Sequence, residues 1–200
     1  MPAGYSIRDM ARDQAAVLRR LEIKKATVMG VSQGGMIAQY MAIDHPDLVK
    51  KLVIAVSAPC ANEETRNCIQ NWIEMIERKD YRRLFADTAE KSYSEKYLKK
   101  IRKLLPLLAQ FGKPKDDRRF LISACAILSF DTSEEIEKIT CPTLILGGEA
   151  DKIVGIRASH ILHEKIPGSE LYVYPELGHA VYEEAPDFND RVFAFLEAEG

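Results

Sequence analysis

A chain of 200 residues, 46% hydrophobic and 29% charged, has an ordinary globular composition and enough length to bury one core, which excludes a disordered polymer. A formal net charge of -2 supplies no concentrated basic surface, so no nucleic-acid partner is expected. No apolar stretch approaches the ~20 residues that span a bilayer and the N-terminus lacks the layout of a signal peptide, so no membrane partner is expected and the expected address is cytoplasmic.

In chain order, Ser6 with Asp9 three residues on reads as a capping box, and Met10, Ala11, Ala15, Leu18 and Leu21 then recur at helical spacing. Ala26-Thr27-Val28-Met29 reads as a short buried strand. The segment Met36 to Ala42 reads as the start of a helix that runs to about His45-Pro46. Leu52-Val53-Ile54-Ala55-Val56 is a continuous apolar run of the kind found in parallel strands covered on both faces.

Residues 61 to about 129 change character. They carry three helical stripes: Ile69, Trp72, Ile73 and Ile76; Tyr97, Ile101, Leu104 and Leu108; and Phe120, Ala124, Ile127 and Leu128. Pro106 and Gly112 to Pro114 punctuate them. Lys99-Lys100-Ile101-Arg102-Lys103 is the solvated side of a helix rather than a binding patch. Strand and helix alternation then resumes, with strands at Thr143 to Gly147 and Leu171 to Tyr174 and helices from Arg157 to Lys165 and from Phe188 to Glu199. Four strands separated by helices predict an α/β fold with a mostly parallel sheet, residues 1–60 and 130–200 forming the core and 61–129 inserted into it.

Gly30-Val31-Ser32-Gln33-Gly34 fits G-x-S-x-G, a corner so tight that side chains flanking the serine would clash. With a strand before and a helix after, Ser32 is held out toward a crevice at a helix N-terminus, where free N–H groups favour an oxyanion and the Gln33 N–H is the natural donor. After the third strand, Gly147-Gly148-Glu149-Ala150-Asp151 puts a carboxylate at the sheet edge where open α/β sheets build their sites. After the fourth, Gly178-His179 brings an imidazole to the same edge, able to accept the serine proton while Asp151 fixes its tautomer. His45, His160 and His163 lack that placement and are structural or solvated. Cys60, Cys68, Cys125 and Cys141 show neither CxxC pairing nor zinc-like His spacing, so reduced thiols are expected and no metal.

On "GVSQGG", "CPTLILGGEADKIV" and "LGHAVYEEAPDFN" the sequence resembles the α/β-hydrolase superfamily, specifically its capped, esterase-like members, over essentially the whole chain. The resemblance implies Ser32 as nucleophile, Asp151 as triad acid, His179 as base and the Gln33 N–H as one oxyanion donor, with residues 61 to about 129 as a helical cap. It implies a small ester, thioester or lactone as substrate and needs no cofactor. C–C bond hydrolysis, acyl transfer and perhydrolysis by the same triad, or a non-catalytic interaction protein, are the alternatives. Within the cap, Trp72, Met75, Tyr97 and Phe120 are the candidates for lining a substrate pocket.

Members of the superfamily normally carry more strands before the elbow, together with a loop that gives a second oxyanion N–H. The elbow strand is therefore expected to present an uncovered edge here, and a homodimer formed through that edge is expected.

Overall fold

The computed structural model describes residues 4–108 and 116–198. Gly112 to Pro114 and Glu199, named above as helix punctuation and helix end, lie outside the described residues. Among the described residues, four strands form one parallel sheet in the order β1-β2-β3-β4: Ala26–Val31, Val49–Ala55, Thr143–Gly148 and Glu170–Tyr174. Each strand is followed by at least one helix. These helices are α1 (Ile7–Arg20) before β1, α2 (Gln33–Asp44) between β1 and β2, α3 (Glu63–Glu77), α4 (Tyr81–Ser92), α5 (Glu95–Ile101), α6 (Leu105–Leu108) and α7 (Asp117–Leu128) between β2 and β3, α8 (Ile156–Lys165) between β3 and β4, and α9 (Val181–Glu184) and α10 (Phe188–Glu197) after β4.

The alternation of β2 explains its unbroken apolar run. Leu52 and Ile54 point into a cluster with Ile7, Ala11 and Ala15 of α1, Met36 and Met41 of α2 and Leu162 of α8, whereas Val53 and Ala55 point into a second cluster with Val181 of α9 and Phe188, Val192 and Phe195 of α10. Leu52, Val53, Ile54 and Ala55 are all 0% exposed, and each fully buried large aliphatic side chain stabilises the fold by about 1.5–3 kcal/mol.

β2 also begins earlier than its apolar run. Lys51 lies within it, 5% exposed, and its ammonium donates to the carbonyls of Phe195 (2.8 Å), Leu196 (3.1 Å) and Ala198 (2.5 Å). These are the carbonyls that the end of α10 leaves without intrahelical partners, so the charge is satisfied and the helix is capped at once.

The capping box at Ser6 forms as the sequence predicts, with the Asp9 N–H donating to Ser6 Oγ at 3.1 Å and the Ser6 N–H donating to Asp9 Oδ2 at 2.9 Å. The second helical stripe does not form one helix. α5 ends at Ile101, a turn intervenes, and Leu104 and Leu108 belong to the turn and to α6. The proline at 106 is the reason, since it cannot continue an α-helix from the preceding turn.

The two outer strands are guarded differently. At β4, the Arg191 guanidinium sits 3.4 Å from the centre of the Tyr172 ring and Glu170 is exposed. β1 forms a strand but is not buried as the sequence suggests: Met29 is 44% exposed and Thr27 is exposed, because their side chains lie on the face opposite the one packed by Val28 and α1, and the strand carries no charge. α1 packs Ile7, Ala11 and Ala15 against the sheet face shared with α2.

Candidate active site

Ser32 stands between β1 and α2 with φ 53° and ψ -120°. Such a backbone is outside the regions open to a residue with a Cβ, and non-glycine residues hold it only where their surroundings enforce it. Two kinds of contact enforce it here. The Ser32 N–H donates to the Ala55 carbonyl at the end of β2 (2.9 Å), and the Ser32 carbonyl accepts from Gly35 (2.9 Å) and Met36 (3.3 Å) as the first turn of α2. The chain also folds back on itself so closely that a Cβ on Gly30 would stand 2.1 Å from the Gly34 carbonyl oxygen, and one on Gly35 would stand 2.6 Å from the Ser57 Cβ. Both glycines are therefore required by space.

α2 starts at Gln33, three residues before the Met36 start read from the sequence. Gly34 and Gly35 conceal those first positions, since glycine has low helix propensity. Starting at Gln33 aims the helix's first N–H groups, Gln33 included, at the space beside Ser32. Two side-chain atoms near this corner, Gln33 Nε2 and Ser57 Oγ, are buried without a partner.

Asp151 and His179 come together at the same edge of the sheet. His179 Nδ1 lies 2.8 Å from Asp151 Oδ2, with the two side chains 8% and 1% exposed respectively. Asp151 Oδ1 accepts from the N–H groups of Ile153 (2.8 Å) and Val154 (3.1 Å), so both carboxylate oxygens are engaged. A carboxylate held this way fixes the Nδ1–H tautomer and leaves Nε2 free to take a proton. The loops carrying the pair are joined, with the Glu149 N–H donating to Tyr174 (3.0 Å) and the Ala150 N–H donating to Leu177 (2.9 Å). A Cβ on Gly148 would stand 2.2 Å from the Gly178 carbonyl oxygen, which explains the glycine there.

β1, β3 and β4 run parallel, so Ser32, Asp151 and His179 all follow strand ends on one edge. The Ser32 hydroxyl is half-buried and forms no hydrogen bond among the described residues. Bonds of this kind are often open in a protein without substrate. Among the described residues no cluster of three or more His, Cys, Asp or Glu side chains could hold a metal ion. No described helix is long and apolar enough to cross a membrane.

The four pocket candidates are spread along the helices between β2 and β3. Trp72 packs both against Ala58, Cys68, Ile153 and Val154, next to Asp151, and against Met75, Ile76 and Leu84; its Nε1–H donates to Asp87 (2.7 Å). Met75 is 5% exposed inside that second cluster, and Phe120 packs on its border. Tyr97 stacks on Tyr93 at 4.6 Å. Sequence reasoning missed the contacts of Tyr93, Ser94, Glu183 and Glu184 around the histidine loop. The only signal was two acidic residues shortly after His179.

A family model described as alpha/beta hydrolase fold matches residues 1–186. RutD of Serratia proteamaculans (strain 568), provisionally named a carbamate hydrolase, is 29% identical over 183 residues, spanning 90% of this chain and 68% of that protein. Among solved structures, Est816, described as an N-acyl homoserine lactone degrading enzyme, is 28% identical with a TM-score of 0.79, covering 96% of this chain and 76% of its own. The esterase EaEST from Exiguobacterium antarcticum is 25% identical with a TM-score of 0.84, covering 98% and 75%.

Proposed function

Because the chain belongs to the alpha/beta hydrolase fold family, we propose that it is a serine hydrolase that cleaves a small carboxylic ester, thioester or lactone through an acyl-enzyme. The observation that carries this reading is the buried, fully bonded Asp151–His179 pair at the same sheet edge as the strained Ser32.

In the proposed reaction the Ser32 oxygen attacks the substrate carbonyl as His179 Nε2 takes the hydroxyl proton. Asp151 stabilises the resulting imidazolium through Nδ1–H. The negative charge on the carbonyl oxygen falls beside the N-terminus of α2, where the Gln33 N–H donates to it. Collapse of the adduct expels the alcohol or thiol, which receives the proton from His179 and leaves the acyl group on Ser32. Water then attacks the acyl carbon, gives its proton to His179, and releases the acid as the serine oxygen recovers that proton. The same carbonyl chemistry serves the ester, lactone and carbamate substrates that the relatives' names carry.

The helices from α3 to α7 are proposed as the cap that selects the acyl group. Trp72 is the foremost pocket candidate, since it borders the Asp151 loop.

Labelling with a fluorophosphonate, together with a p-nitrophenyl ester series of rising acyl length, tests the reading. Rapid labelling and hydrolysis in the parent, both lost in Ser32→Ala and His179→Ala, are expected. Hydrolysis at the parent rate in Ser32→Ala would place the chemistry elsewhere, and no labelling of the folded parent would favour a non-catalytic interaction protein.

A further inference from the structure

His179 sits in a segment with little structure of its own. It follows Gly178 and precedes α9, a helix of only four residues, Val181–Glu184, and so short a helix does not persist without outside contacts. Val181 supplies one, buried in the cluster with Val53, Ala55 and Phe188; the polar ones come from the junction between α4 and α5. The Ala180 N–H donates to the Ser92 carbonyl (2.8 Å). A Cβ on Gly178 would stand 2.7 Å from that same carbonyl oxygen, so the residues on both sides of His179 meet one atom of the helical insertion.

Two carboxylates complete the grip. Glu184 Oε1 accepts from the Ser94 N–H (2.9 Å) and its Oε2 accepts from the Ser94 hydroxyl (2.5 Å), where Ser94 is 7% exposed. Glu183 Oε2 accepts from the Tyr93 hydroxyl (2.6 Å). Burial, and then this bond to Glu183, hold the Tyr93 hydroxyl in its protonated, donating form. Ser94 Oγ in turn accepts from the Tyr97 N–H at the start of α5 (3.2 Å). A continuous chain of contacts therefore runs from α5 through Ser94 and Glu184 to the loop that carries the imidazole.

We propose that Glu184 is a positioning residue for His179: by holding Ser94 it docks the helical insertion on the histidine loop and keeps the imidazole aligned with Asp151. The proposal rests on the reading of His179 as the base. Glu184 touches no reacting atom. It acts by fixing α9.

The test uses Glu184→Ala, Glu184→Gln and Ser94→Ala in the full chain. The readouts are the NMR resonance and solvent-exchange rate of the His179 Nδ1 proton, with kcat and KM on a p-nitrophenyl ester. Glu184→Ala is expected to speed Nδ1 proton exchange at least tenfold and to lower kcat about tenfold with little change in KM. Glu184→Gln, which keeps one acceptor oxygen for Ser94, should recover most of both. Ser94→Ala removes the hydroxyl that donates to Glu184 and also the N-cap of α5; it should fall between them, which keeps the test decisive if Glu184→Ala does not fold. An unchanged Nδ1 proton in a variant that has lost stability would make the contact a plain structural tie and overturn the proposal. Because the proton readout needs no turnover, it decides the role of Glu184 even if Ser32→Ala hydrolyses like the parent and the hydrolase reading falls.

Discussion

Replacing Ser32 by glycine should stabilise the fold while abolishing hydrolysis, and the alanine variant provides the reference. Ser32→Ala and Ser32→Gly both remove the nucleophilic oxygen, but alanine keeps the Cβ that φ 53° and ψ -120° disfavour. Relief of such a conformation contributes about 1–3 kcal/mol. Glycine's larger unfolded-state entropy takes back about 0.4–1 kcal/mol. The glycine variant should therefore exceed the alanine variant by about 1 kcal/mol, which for a chain of this size raises Tm by about 2–4 °C. Thermal unfolding of the two variants, followed by circular dichroism under identical conditions, measures the difference directly. Equal or lower stability of Ser32→Gly would mean that the serine side chain is not strained at the elbow.

Gly30→Ala should cost activity about 10²-fold in kcat/KM, because its Cβ would stand 2.1 Å from the Gly34 oxygen and can be accommodated only by moving the elbow; an ester assay at parent-like secondary structure checks it. Lys51→Met should lower stability by roughly 2–3 kcal/mol in urea unfolding, since it leaves the last carbonyls of α10 without their donor. Burial pushes the Cys68 thiol up to about 12, so it should alkylate far more slowly than a free thiol at pH 8. The folded thiol holds its proton above the unfolded value of about 8.5, so this group's contribution is intact below that pH and is lost as pH rises from about 8.5 toward 12. Thermal unfolding at rising pH, compared with Cys68→Ala, checks that sign. Pairing of two copies through β1 is tested by sedimentation at low micromolar concentration, with Met29→Lys as the disrupting variant, because Met29 is exposed whereas Val28 packs against the core. A parent that sediments as a clean monomer would refute it.

The parallel strands and the three residues of the candidate site were legible because each announces itself locally. β2, covered on both faces, is an apolar run, and the strand-to-helix corner at Ser32 demands glycine at positions 30 and 35, whereas a Cβ at Gly34 would meet nothing. The features that stayed hidden are those whose partners lie far along the chain. Lys51 marks no strand until its ammonium is seen among carbonyls 144 residues away. The start of α2 is hidden by Gly34 and Gly35, of which only Gly35 is required by space, since Ser57 leaves no room for a side chain there. Ser94 and Glu184 are ordinary polar residues in sequence, and their pairing across 90 residues of chain cannot be inferred from either neighbourhood. Met75 shows the opposite limit, since a helical stripe reads the same whether it faces a pocket or another helix, and here it lies among Ile76 and Leu84.

The ammonium of Lys51 also ties the fold to the order in which the chain is made. On a ribosome, β2 emerges before the carbonyls that receive this lysine, which follow 144 residues later. At about 5–20 residues per second, that interval lasts roughly 7–30 s. Throughout it, the Lys51 ammonium lacks the carbonyls that satisfy it in the native fold, so burying β2 carries the cost of an unpaired charge. Only when α10 arrives does the ammonium gain its carbonyl partners, so docking of that helix is needed before Lys51 can be buried at low cost.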